Sequence, residues 1–127
     1  MINKVHHIAI ICSNYGVSKR FYTEILGLKI INETYREERK SYKLDLGLNG
    51  EYIIELFSFP NPPKRPSRPE AVGLRHLAFE VDDLNKMIAY LENHNIEVET
   101  VRVDEITGKR FTFIADPDGL PIEFCEK

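Results

Sequence analysis

This 127-residue chain predicts an α+β fold of two tandem βαβββ modules, eight strands in all, curving round a cavity. Three observations carry that prediction. Two apolar strands each contain a histidine and run into a helix cap: Val5-His6-His7-Ile8-Ala9-Ile10-Ile11 before Ser13-Asn14, and Arg75-His76-Leu77-Ala78-Phe79-Glu80-Val81 before Asp82-Asp83. They look like two copies of one design. Each is followed by a stretch of helical period and then by three of strand period. Between the copies lies the one clear shift in composition, where five of the seven prolines fall between Pro60 and Gly73. The modules are therefore 1–59 and 74–127, joined by a proline-rich linker at 60–73, and together they make one structural domain of ordinary size.

Taken in order, the first strand covers about Lys4 to Cys12, and a helix follows from about Tyr15 to Leu26. Ser13 or Asn14 caps it, Val17, Phe21 and Ile25 form its buried stripe, and Gly27 is its left-handed stop. Strand pattern returns at Leu28–Glu33. The charged run Arg36 to Lys40 reads as a turn, and Tyr42, Leu44 and Leu46 alternate again. Asn49-Gly50 is a type I′ hairpin signal, because both residues tolerate positive φ, and Glu51 to Phe59 is the returning strand. The linker, with no regular element, carries Lys64, Arg65 and Arg68, either solvated or reaching toward an anion.

In the second module Asp82 or Asp83 caps a helix with Leu84, Met87, Ile88 and Leu91 on one face, ending near Asn93-His94-Asn95. Strands follow at about Ile96 to Val103 and Lys109 to Ala115. Asp116-Pro117-Asp118-Gly119 makes a tight turn into a last strand at Leu120 to Cys125.

The totals narrow the function. A formal net charge of −3 offers no general attraction to phosphate backbones, and the aromatics sit in apolar strand patterns, so nucleic acid is not an expected partner. No apolar run approaches the ~20 residues of a membrane span, and the N-terminus lacks the features of a secretory signal, so a cytoplasmic protein is expected. Cys12 and Cys125 lie outside any CxxC spacing and read as space-filling thiols.

Strand parity selects the candidate site. Leu77, Phe79 and Val81 share the face that packs on the helix, as do Ile8 and Ile10, which turns His76 and His7 to the concave side. His6 and Arg75 fall on the helix side or the strand edge. Ile54 and Leu56 match Ile122 and Phe124, so Glu55 and Glu123 also face inward. The separations nearly repeat, with 48 residues between His7 and Glu55 and 47 between His76 and Glu123. A carboxylate among apolar neighbours is costly unless it is paired or binds a cation, and two facing each other would repel. A divalent ion held by His7, Glu55, His76 and Glu123 removes both penalties. The nitrogen and oxygen donors suit nickel, cobalt, zinc, manganese or iron.

The residues HHIAI, FYTEILGLK, IIELF, GLRHLAFEVDD and DPDGLPIEF together resemble the vicinal oxygen chelate superfamily, also called the glyoxalase/bleomycin-resistance/dioxygenase superfamily, and within it a glyoxalase I-like branch. The resemblance spans essentially the whole chain. It implies the same four metal ligands, with Glu123 as catalytic base and Glu55 as its partner. It also implies a lyase or isomerase that moves a proton, through a metal-stabilised enediolate, on a 2-oxoaldehyde thiohemiacetal or related α-hydroxycarbonyl. A homodimer follows from it too, because glyoxalase I builds its metal site from halves of two subunits. The positions that hold the glutamyl end of glutathione in glyoxalase I are here Ile11 and Phe59. Arg110, placed on the concave side of its strand, and Lys43 are the candidate grips on an anionic small-molecule substrate. A ring-cleaving dioxygenase, an antibiotic thiol transferase, and a drug-binding resistance module without catalysis are the alternatives on this fold.

Overall fold

The computed structural model describes residues 1–127 and divides into two compact units, Met1–Lys64 and Arg65–Lys127. The first unit contains β1 (Ile8–Cys12), α1 (Tyr15–Arg20) extended by a π-helical turn (Phe21–Ile25), β2 (Lys29–Arg36), β3 (Ser41–Leu48) and β4 (Glu51–Ser58). Its sheet has the order β1-β4-β3-β2, with β1 parallel to β4 and the other pairs antiparallel. The second contains β5 (Leu77–Val81), α2 (Leu84–Asn93), β6 (Arg102–Val103), β7 (Arg110–Ala115) and β8 (Pro121–Glu126), in the order β5-β8-β7-β6. The chain is a tandem βαβββ protein.

In both units the sheet face toward the helix is the apolar one. Ile10, Leu44, Leu46, Ile54 and Leu56 are buried in the first, and Ile114, Ile122 and Phe124 in the second, against Leu84 and Leu91 of α2. Each such side chain contributes ~1.5–3 kcal/mol when fully buried. Asn14 caps α1 by accepting from the Val17 amide, and Asp83 caps α2 by accepting from the Lys86 amide. Asn49 and Gly50 both take positive φ, +52° and +81°, as the hairpin between β3 and β4 requires.

Three expectations need correction. Phe21 of the expected stripe is buried, but Val17 is half exposed, and Ser18 and Tyr22 are buried beside Phe21. Ser18, Phe21 and Tyr22 stand at i, i+3 and i+4, so the buried stripe runs through them at ordinary helical spacing and leaves Val17 at its edge. The strand expected over Ile96–Val103 pairs only at Arg102–Val103. Upstream of it the Thr112 hydroxyl donates to the Glu99 carbonyl, the group a ladder would have used. Ladder pairing of the opening strand begins at Ile8 and not at Lys4, so His6 and His7 both stand ahead of the paired residues.

Part of the linker is tied to the strand that follows it and to the turn before β8. Arg65 donates to the carbonyls of Leu74 and Arg75 and to Ser67, and Ser67 donates to the carbonyl of Gly119. The second half of the linker thus braces the segment that leads into His76.

Candidate metal centre

In the first unit, Ala9 of β1 pairs with Glu55 of β4, and His7 precedes Ala9 by one full pleat, so His7 and Glu55 share a sheet face. Nε2 of His7 lies 3.5 Å from Oε1 of Glu55. The second unit repeats the construction: Ala78 pairs with Glu123, and Nε2 of His76 lies 3.4 Å from Oε1 of Glu123. The side chains of both glutamates are mostly buried.

Those separations are chemically informative. They are long for an N–H···O bond, whose donor and acceptor sit at ~2.7–3.2 Å. They match two neighbouring ligands of one ion held at ~2.0–2.2 Å from each. The donor set, imidazole nitrogen plus carboxylate oxygen, suits a first-row divalent metal. No group of three or more histidine, cysteine, aspartate or glutamate side chains able to hold a metal forms in either unit. Each unit presents a two-ligand pair.

The surroundings of the two pairs differ. Around Glu55, the Tyr52 hydroxyl oxygen lies 3.3 Å from Oε2 and Lys43 Nζ 3.4 Å away. Both also bind Asp45, Lys43 at 2.9 Å from each carboxylate oxygen and Tyr52 at 2.8 Å. The hydrogen bond to Asp45 raises the Lys43 ammonium above its ordinary value. Burial opposes ionisation of Asp45, but the bonds from Lys43 and Tyr52 outweigh it and hold the carboxyl low. Burial, with the bond to Asp45, pushes the Tyr52 phenol far up, so it remains a donor. The Tyr52 ring also stacks on His7, with centroids 5.0 Å apart, and so supports both members of the pair. At the register position that Asp45 occupies in unit one, unit two has Phe113, whose ring meets His76 edge-on. Nδ1 of His76 is buried without a partner, whereas Nδ1 of His7 meets Nδ1 of His6 at 2.7 Å.

Arg110 is not on this face. It alternates with Phe111 and Phe113, so its guanidinium reaches the helix side, where it grips Glu126 through two bonds of 2.9 and 3.0 Å and donates to Asn85 of α2. Parity along β7 already excluded it from the concave side. Lys43 does face the pair, but Asp45 and Glu55 occupy its ammonium. His6, expected on the helix side or the edge, packs against His7 and Tyr52. Asp45 and Tyr52 went unnoticed in the sequence. The parity of Lys43 could have found Asp45, whereas the bulge near Gly47 in the β3–β4 ladder hides Tyr52 from any alternation argument.

Duplicated βαβββ units with matching histidine–glutamate pairs define a class of protein before any comparison is made. The chain belongs to the Glyoxalase/Bleomycin resistance protein/Dioxygenase superfamily, whose family model matches residues 4–124. It is 63% identical over 126 residues to the uncharacterized protein YaeR of Escherichia coli K12, an alignment covering 99% of this chain and 98% of that one. The crystal structure of a glyoxalase family protein from Enterococcus faecalis superposes with a TM-score of 0.90 at 49% identity, covering 97% of each chain. The trypanothione-dependent glyoxalase I of Leishmania major superposes with a TM-score of 0.75 at 27% identity, covering 98% of this chain and 87% of that one.

Proposed function

We propose that this protein is a metal-dependent lyase or isomerase of glyoxalase I type, working as a homodimer on a 2-oxoaldehyde thiohemiacetal or a related α-hydroxycarbonyl. The observation that carries the reading is the repeated pair, a histidine nitrogen and a glutamate oxygen at ligand spacing in both units. Likeness to a glyoxalase I supports it. In this reading the ligands of the divalent ion, nickel, cobalt, zinc, manganese or iron, are His7, Glu55, His76 and Glu123.

When bound, such an ion polarises a carbonyl and stabilises negative charge on the neighbouring oxygens. The chain's own side chains move the proton. Glu123 takes it from the carbon beside the carbonyl and returns it to the adjacent carbon, and nothing is oxidised overall. Glu55 is the less mobile carboxylate, since Tyr52 and Lys43 restrain it, while Glu123 has neither a lysine nor a tyrosine on it. His7 and His76 would offer Nε2 as ligand atoms beside the carboxylates of Glu55 and Glu123.

The test is elemental analysis of protein purified without added metal, followed by assays on thiohemiacetals of methylglyoxal formed with several thiols. Stoichiometric divalent metal and turnover are expected. Glu123→Gln should retain the fold by circular dichroism and lose turnover by ~10²–10⁴-fold, the usual contribution of a positioned base. An active Glu123→Gln enzyme removes that residue as the base, and a protein that takes up no metal ends the proposal. Iron(II) with oxygen uptake would identify a ring-cleaving dioxygenase instead.

A further inference from the structure

We infer that His6 is a positioning residue for the metal centre: its Nδ1 accepts the proton of His7 Nδ1 and so leaves His7 Nε2 free to bind the ion. The role rests on the metal reading above and lies outside its ligand set. His6 and His7 both stand ahead of the first paired residue of β1, so the alternation of the ladder does not separate their side chains. Their rings meet edge-on with centroids 5.0 Å apart, and the two Nδ1 atoms are 2.7 Å from each other.

Two ring nitrogens that close share one hydrogen bond, with one nitrogen protonated and the other bare. A neutral imidazole carries a single proton, so this contact decides the state of Nε2 as well. With the proton on Nδ1, His7 Nε2 keeps the lone pair that a metal needs. With the proton on Nε2, the ligand atom is blocked. Glu55 does not hold it there, because the 3.5 Å from Nε2 to Oε1 exceeds hydrogen-bond length and Oε2 already has the Lys43 ammonium 3.4 Å away. His6 is exposed, so solvent serves its Nε2–H while its Nδ1 accepts. Tyr52 completes the support. Its ring lies 19° from parallel with His7 and meets His6 edge-on at 5.3 Å between centroids, so Tyr52 sets the plane of His7 and His6 sets its proton.

The second unit lacks this device. Arg75 precedes His76 and sends its guanidinium to Glu70 at 3.3 Å, and Nδ1 of His76 is buried without a partner. His76 is therefore an internal control for any substitution at His6.

Long-range ¹H–¹⁵N correlation of the histidine rings tells protonated from bare nitrogens, in metal-free full-length protein at pH ~8.5, about two units above an ordinary imidazole. His7 should carry its proton on Nδ1. His6→Phe keeps a ring against Tyr52 and removes the acceptor; it should move the His7 proton to Nε2 and weaken zinc by ~10–100-fold in competition with a chelator. His6→Asn loses the ring but places Oδ1 where Nδ1 stood, and it should restore both the His7 tautomer and the zinc affinity. The His76 nitrogens should ignore both changes in the metal-free protein. A wild-type His7 protonated on Nε2, a phenylalanine variant that binds zinc as wild type does, or an asparagine variant as weak as the phenylalanine one overturns the inference. So does zinc bound by Nδ1 of His6 itself. Wild-type protein that takes up no zinc, yet shows a His7 Nδ1–H that depends on His6, defeats the lyase reading alone. A metal-loaded, active enzyme whose His7 ignores His6→Phe defeats only the role of His6.

Discussion

Replacing Asp116 tests how the turn before β8 holds Glu123 in register. Oδ1 of Asp116 accepts from the amides of Asp118 and Leu120, both at 2.9 Å, while its own amide donates to the Leu120 carbonyl at 2.8 Å and Gly119 adopts φ +86°. Leu120 is 8% exposed, so in Asp116→Ala its amide loses its acceptor where water cannot easily replace it, a loss of ~1–3 kcal/mol. The Asp118 amide is only partly buried and is rehydrated, adding ~0.5–1.5 kcal/mol. The expected total is ~2–4 kcal/mol. Asp116→Asn keeps one side-chain oxygen able to accept both bonds and loses only the charge assistance, ~1 kcal/mol. Urea unfolding should show the two midpoints displaced in that order with unchanged slopes. An alanine variant within ~0.5 kcal/mol of wild type, the range of neutral surface changes, would refute the reasoning. So would an asparagine variant as damaged as the alanine one, because then the oxygen acceptor would not be what matters.

Phe21→Ala should destabilise by ~3–5 kcal/mol and Val17→Ala by under ~0.5 kcal/mol, measured by urea unfolding; comparable losses would mean that Val17 does not lie outside the buried stripe. Arg110→Ala should leave metal content and turnover at wild-type values, because its partners Glu126 and Asn85 lie on the helix side; a selective rise in KM would restore it as a substrate contact. Hydrogen bonds from Lys19 and Tyr15 hold the Glu33 carboxyl below its ordinary value of about 4.5. Stability from a depressed carboxyl is fully present above that value and is lost as pH falls through the lower folded one. Glu33→Gln should therefore cost under ~1 kcal/mol at pH 7, the range for a partly exposed ion pair, and nothing in acid. A gap between the variant and wild type that persists or widens below pH 3 would contradict this.

Much of the site was legible because side-chain direction in a strand repeats every two residues. Given the register of a parallel pair, the parity of His7 and Glu55 in one module and of His76 and Glu123 in the other follows from counting. The hairpin and the Asp-Pro-Asp-Gly turn were equally readable, since positive φ at Asn49, Gly50 and Gly119 is a local demand met by local residue choice. Where a position left the regular ladder, counting lost its meaning. Tyr52 sits beside a bulge, which puts it on the face of Glu55 against the alternation of the sequence.

By itself, then, the amino-acid order determined the two βαβββ modules, their turns, and which histidine and glutamate share a sheet face in each module, because each depends on periodicity or on the conformational limits of single residues. Only the folded chain decided who neutralises whom. Lys43 reaches Glu55 on the neighbouring strand, Arg110 is taken up by Glu126 across the ladder, and Arg36 stacks on two phenylalanine rings more than twenty residues away with its Nε left over. Such partnerships join side chains from different strands, and their energies arise from burial and distance, neither of which has a period in the sequence.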